Sequence, residues 1–152
     1  STQGVSSAAS DVYKRQTEIE DKKVMIVDDS IVRGNTSREI VRMLKDFGAT
    51  EVYFAVACPP VISPCFYGVD MPTRKELIAN KKSVEEIKRH LEVDQLMYQD
   101  IDALSEAVMR KGDHHIDQPC MACFDKNYIT KEMDVDRINE LEEMRIKDRN
   151  GK

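Results

Sequence analysis

The stretch Val24-Met25-Ile26-Val27-Asp28-Asp29-Ser30-Ile31-Val32-Arg33-Gly34-Asn35-Thr36-Ser37 decides the fold. Its first four residues form a continuous apolar run that ends in two aspartates, the pattern of a strand buried on both faces of a parallel sheet. Beyond it, Ile40, Val41, Met43, Leu44 and Phe47 fall on one side of a helical period, and Gly48 offers the residue a left-handed C-cap favours. A helix therefore runs from near Thr36. Glu51 to Ala57 is a second apolar run, rich in β-branched and aromatic residues, and Pro59 and Pro60 end it. Strand, helix, strand in this order is the right-handed crossover unit of an α/β sheet with parallel strands.

Open α/β sheets bind ligands just outside the carboxyl ends of their strands, where Asp28 and Asp29 stand. Ser30 to Ser37 is short and polar and leads straight into the helix. Its backbone amides can converge on an anion at the positive end of the helix dipole, with the Thr36 and Ser37 hydroxyls as extra donors. The acidic pair is expected to face away from that phosphate pocket, toward a ribose diol and a Mg²⁺. One ligand carrying phosphate, diol and metal fits both halves. The plainer alternative is that Asp28 and Asp29 cap a strand and Gly34 serves a tight turn.

The remaining chain is ordinary for one folded domain. It has 152 residues, of which 41% are hydrophobic and 34% charged, with a formal net charge of -5. An acidic balance argues against a nucleic-acid surface. No apolar run approaches the roughly 18 residues a membrane span needs, and no basic segment followed by an apolar one suggests secretion. The expected compartment is cytoplasmic. Residues 1–21 read as a tail, with Val5 to Gln16 resembling non-native adaptor sequence, and 148–152 as a second tail. Thr73 with Glu76 and Ser83 with Glu86 each fit a capping box, which predicts short helices at about 74–80 and 84–90. Gln95 to Tyr98 is a strand candidate. Asp100 or Asp102 caps a helix running to Gly112, and Val135, Ile138, Leu141 and Met144 mark one face of a last, charged helix. Met25, Met43, Met97, Met109 and Met144 mostly suit core or helix-face positions, and His114 and His115 a solvated loop.

VMIVDDSIVRGNTS resembles the PRPP (phosphoribosyl pyrophosphate) binding signature of the amidophosphoribosyltransferases, members of the type I phosphoribosyltransferase fold; Asn35 stands where Thr is usual. Cys58-Pro59-Pro60-Val61, Pro64-Cys65-Phe66-Tyr67-Gly68-Val69-Asp70 and Glu76-Leu77-Ile78-Ala79 are similar to further segments of that family, in the same order. The likeness covers about residues 22–145, and 22–147 reads as the C-terminal part of the transferase domain. A receiver domain shares the opening apolar-Val-Asp-Asp-Ser, and Asp70 even resembles its phosphoacceptor. A receiver needs a buried apolar strand before that acceptor, however, and prolines occupy the run here.

The resemblance implies formation of 5-phosphoribosylamine from PRPP and glutamine-derived ammonia, the first committed step of purine biosynthesis. Asp28, Asp29, Ser30, Ile31, Val32, Arg33, Gly34, Asn35, Thr36 and Ser37 would bind PRPP, with Asp28 and Asp29 close to Mg²⁺. It further implies a glutaminase domain in the full-length chain, purine nucleotide inhibitors and a homo-oligomer, a tetramer. Cys120-Met121-Ala122-Cys123 alone suits zinc, iron–sulfur or dithiol chemistry equally. In the family's iron–sulfur branch, Cys65, Cys120 and Cys123 match three ligands of a [4Fe-4S] cluster; the fourth lies before the PRPP motif, in sequence this chain does not contain, so the cluster here is expected to be incomplete. Cys58 falls where the family has no ligand and reads as a buried thiol; a zinc site of Cys58, Cys65, Cys120 and Cys123 is the other possibility. No catalytic residue of the glutaminase is present, so this chain is expected to be an inactive fragment in isolation. A non-catalytic PRPP- or nucleotide-binding module is the alternative reading.

Overall fold

The structure, a computed structural model, describes residues 16–109, 118–130 and 133–150. Three strands, β1 (Lys23–Asp28), β2 (Glu51–Val56) and β3 (Gln95–Tyr98), form one parallel sheet in the order β1-β2-β3. The register sets Asp28 beside Val56 and Val56 beside Tyr98, so all three strands end at one edge. Helices α1 (Gln16–Ile19), α2 (Asn35–Asp46), α3 (Ile78–Lys81), α4 (Val84–Leu91), α5 (Ile101–Met109), α6 (Ala122–Asp125) and α7 (Val135–Asn150) complete the described elements.

The core lies on one face of the sheet. Val24, Ile26, Val52, Phe54, Val56 and Leu96 point into it and meet Val41 and Leu44 of α2 and Ile87 and Leu91 of α4. Each of these two helices carries its apolar residues in one stripe, which is what seats it on the sheet. The opposite face is open: Met25 is 55% exposed, Val27 72% and Met97 46%. A continuous apolar run predicts cover on both faces of β1, and the described residues provide it on one. The same geometry corrects the core reading of Met25 and Met97, which stand exposed on that face, while Met109 and Met144 are exposed on their helices.

Element boundaries follow local chemistry. Gly48, at φ 87°, ends α2 with its amide on the Lys45 carbonyl, as a left-handed C-cap does. Ser83 and Glu86 form the full reciprocal capping box of α4. Thr73 and Glu76 do not open a helix over 74–80. Their bonds close a turn, and α3 begins only at Ile78. Asp100 caps α5 by accepting from Ala103 N at 2.9 Å. The helix is described to Met109, and the predicted extension to Gly112 lies outside the described residues, as do His114 and His115. On α7, Ile138 is buried and Met144 is not, because the Arg74–Glu142 pair and Arg145 seat the helix instead.

The stretch read as a tail contains structure at its end. Ile19 of α1 is 8% exposed and belongs to the core, and Asp21 N donates to Gly48 O at 2.9 Å. One apolar residue in a polar context carries no periodic signal, so tertiary contact alone reveals it.

Candidate functional site

Between β1 and α2 the chain turns tightly around a cavity of about 330 Å³ lined by Asp28, Ser30, Val32 and the run Arg33 to Ser37. Gly34 sits at φ 80° and is the N-cap of α2, and among the described residues no side chain caps the first turn. Those amides are the donors a helix N-terminus leaves unpaired, and they are available to an anion. A side chain at Gly34 would also crowd its neighbours, since an added Cβ would lie 2.9 Å from Ile78 Cδ1. Glycine is needed here for both the turn and the close approach.

The ten residues singled out from the sequence divide into two groups. Eight line the cavity, Asp28 among them rather than facing away from it. Asp29 and Ile31 do not. Asp29 is exposed, its Oδ1 accepting from Ser30 Oγ at 2.7 Å and its amide donating to Asp28 Oδ1 at 3.0 Å. Ile31 is 1% exposed and packed in the core, so its side chain anchors the loop rather than meeting a ligand. Two carboxylates at this loop suit Mg²⁺, which commonly uses one or two protein carboxylates and takes its other ligands from water and substrate phosphates.

The loop is also held from outside, by partners the sequence reading missed. Arg33 donates to Glu76 Oε1 from Nε at 3.1 Å and from Nη2 at 2.6 Å, and Ile78 N donates to Val32 O at 2.9 Å. The Arg33 guanidinium is the chief reason the Glu76 carboxyl lies below the usual glutamate range. Glu76 stands 43 residues from Arg33, and its spacing to Thr73 advertises a cap, which hides the longer-range bond.

The cysteines form a second neighbourhood. All four are free thiols. Ile62 N and Ser63 N donate to Cys123 O at 2.9 and 3.1 Å, joining the segment before Cys65 to α6. Tyr67 N donates to Cys65 Sγ at 3.3 Å, a contact that favours a thiolate or a ligating sulfur. Burial pushes the Cys123 thiol up, with smaller upward contributions from Cys65, Cys120 and Asp125. The Cys58 thiol is pushed up to about 11, chiefly by burial and then by Cys123, Asp29 and Asp28. Among the described residues no group of three or more His, Cys, Asp or Glu is placed to hold a metal ion. The soft thiolate donor set suits zinc and iron–sulfur ligation alike.

Asp70 is exposed in a stretch without strand structure, 57–77, which removes the receiver-like alternative: no strand delivers it to the sheet edge beside Asp28. No described helix is long and apolar enough to cross a membrane.

The sheet-end cavity and the parallel order with its flanking helices are those of an α/β domain, and comparison with known proteins gives it a family. The chain belongs to the phosphoribosyl transferase domain family, which matches residues 1–100. Among curated relatives it is 47% identical over 113 residues to the amidophosphoribosyltransferase of Bacillus subtilis, covering 74% of this chain and 24% of that protein. To the Pasteurella multocida amidophosphoribosyltransferase it is 40% identical over 141 residues, covering 93% of this chain and 28% of the relative. It thus spans about a quarter of the length of the curated relatives it matches. A solved glutamine PRPP amidotransferase from B. subtilis complexed with ADP and GMP superposes with a TM-score of 0.70 at 40% identity, over 86% of this chain and 30% of that one. The fold is accordingly that of a type I phosphoribosyltransferase, with three parallel strands and their helices.

Proposed function

We propose that this chain provides the PRPP-binding part of an amidophosphoribosyltransferase, in which ammonia from glutamine displaces pyrophosphate from C1 of PRPP to form 5-phosphoribosylamine. The observation that carries this reading is the cavity between β1 and α2, lined by the start of the helix, Asp28 and three hydroxyl residues, Ser30, Thr36 and Ser37. The amides of residues 34–37, with the Thr36 and Ser37 hydroxyls, donate to the 5′-phosphate. Asp28 and Asp29 accept hydrogen bonds from the ribose hydroxyls and hold Mg²⁺. Bound there, Mg²⁺ would offset the charge of the departing pyrophosphate. The chain's own contribution is placement: a fixed phosphate and diol leave C1 with little freedom, and such orientation lowers the barrier without a covalent nucleophile. As the C1–N bond forms, the bond from C1 to the pyrophosphate oxygen breaks and its electron pair leaves with pyrophosphate.

The finer assignments belong to the same reading. Cys65, Cys120 and Cys123 supply thiolates to a [4Fe-4S] cluster, supported by their shared neighbourhood and by the amide on Cys65 Sγ. The relative solved with ADP and GMP supports purine nucleotides as inhibitors. A glutaminase domain, a tetrameric assembly and a cytoplasmic setting complete the enzyme, the last supported by the four free thiols.

Calorimetric titration of PRPP with Mg²⁺ into the chain tests the central assignment. Saturable binding that is lost in the Asp28→Asn, Asp29→Asn double variant is expected. Binding that survives both substitutions would place the ligand elsewhere and overturn it.

A further inference from the structure

Glu76 uses its two oxygens for two separate tasks. Oε2 accepts from Thr73 N and Thr73 Oγ1, both at 3.0 Å, closing the 73–76 turn. Oε1 takes both bonds of the Arg33 guanidinium. Arg33 itself lines the cavity, whereas Glu76 does not. Around this pair, Ile78 N bonds to Val32 O, and Ile78 Cδ1 sits against the space above Gly34. The 73–78 segment therefore grips three consecutive loop residues, 32, 33 and 34. Two bonds from one planar guanidinium to a carboxylate are charge-assisted and directional, and they restrain a side chain that otherwise has many rotamers.

From this arrangement we infer that Glu76 is a positioning residue for the phosphate loop: without touching PRPP, it holds Arg33, and through Arg33 the loop amides, in the arrangement that binds the phosphorylated ligand. The inference rests on the PRPP reading above. A carboxamide in place of the Glu76 carboxylate could accept from Arg33 only by turning its NH₂ toward the Thr73 donors, so Glu76→Gln breaks one grip or the other.

The test is a double-mutant cycle on the chain, read as PRPP affinity in the presence of Mg²⁺ and accompanied by thermal melts. Glu76→Gln should weaken PRPP by about tenfold, and in an Arg33→Gln background the same change should add almost nothing. Thr73→Val loosens the turn but leaves the Arg33 pair, so it should lower the melting temperature while keeping affinity within about twofold. Unchanged affinity in Glu76→Gln overturns the inference and leaves the PRPP reading standing. So does a loss that is equal in both backgrounds, or a Thr73→Val loss as large as that of Glu76→Gln, because the effect then does not pass through Arg33. Failure of the unsubstituted chain to bind PRPP overturns the reading and the inference together. Should Glu76→Gln not fold, Arg33→Gln alone carries the same expected tenfold loss, and unchanged affinity there overturns the inference.

Discussion

The loop at 28–37 and the cysteine neighbourhood around Cys123 are built in opposite ways. The loop's ligand groups come from ten consecutive residues, and one strand end, one left-handed glycine and one helix start bring eight of them to a single cavity. The cysteines come from 58, 65 and 120–123, and they are neighbours without being set around one point. A contiguous site is assembled by local backbone geometry before any ligand arrives. A dispersed site depends on how distant segments pack, and in metal centres the bound group itself supplies part of the ordering.

Breaking each region separately should show that independence. The largest effect belongs to Gly34→Ala, which forces an L side chain to φ 80° beneath Ile78 and should cost about 2 kcal/mol in denaturant unfolding. PRPP affinity should fall with it, while iron–sulfur reconstitution is unaffected. Cys123→Ser is the reverse experiment: after incubation with iron and sulfide, the broad visible absorption expected of the unsubstituted chain should vanish, with PRPP affinity retained. A colourless, zinc-containing unsubstituted protein would remove the cluster from the account. Gly48→Ala, at the other end of α2, meets only the Glu20 side chain and backbone at 3.3 Å or more, and should cost about 1 kcal/mol without altering affinity.

These contrasts also explain what the sequence makes readable. The β1–loop–α2 unit is legible because apolar run, acidic pair, glycine and helical period follow one another without interruption. Exposure of Met25 and Val27 is not legible, since an apolar run reports the strand's preference and not whether a second layer is present. The Arg33–Glu76 bond is equally silent, because the spacing of Glu76 to Thr73 already advertises a local bond. Ile31 reads as a ligand residue by membership of the motif, and its burial shows that a motif also contains the residues that anchor it.

The smallest expected effect is on acid stability. Arg38 and then Arg42 hold the Glu92 carboxyl below its usual 4.5, and the Ser83 amide does the same for Glu86. A carboxylate with a depressed folded pKa contributes stability that is present above its unfolded value and lost as pH falls through the folded one. Melting temperature should therefore decline as pH drops below about 4.5, and Glu92→Gln should flatten that decline slightly.

Backbone amide shifts on adding PRPP with Mg²⁺ to the labelled chain test the account most directly. Movement concentrated at Gly34, Asn35, Thr36 and Ser37, with Ala122 to Asp125 unmoved, is the predicted result. An unmoved loop, or larger movement in residues 118–130, would contradict it.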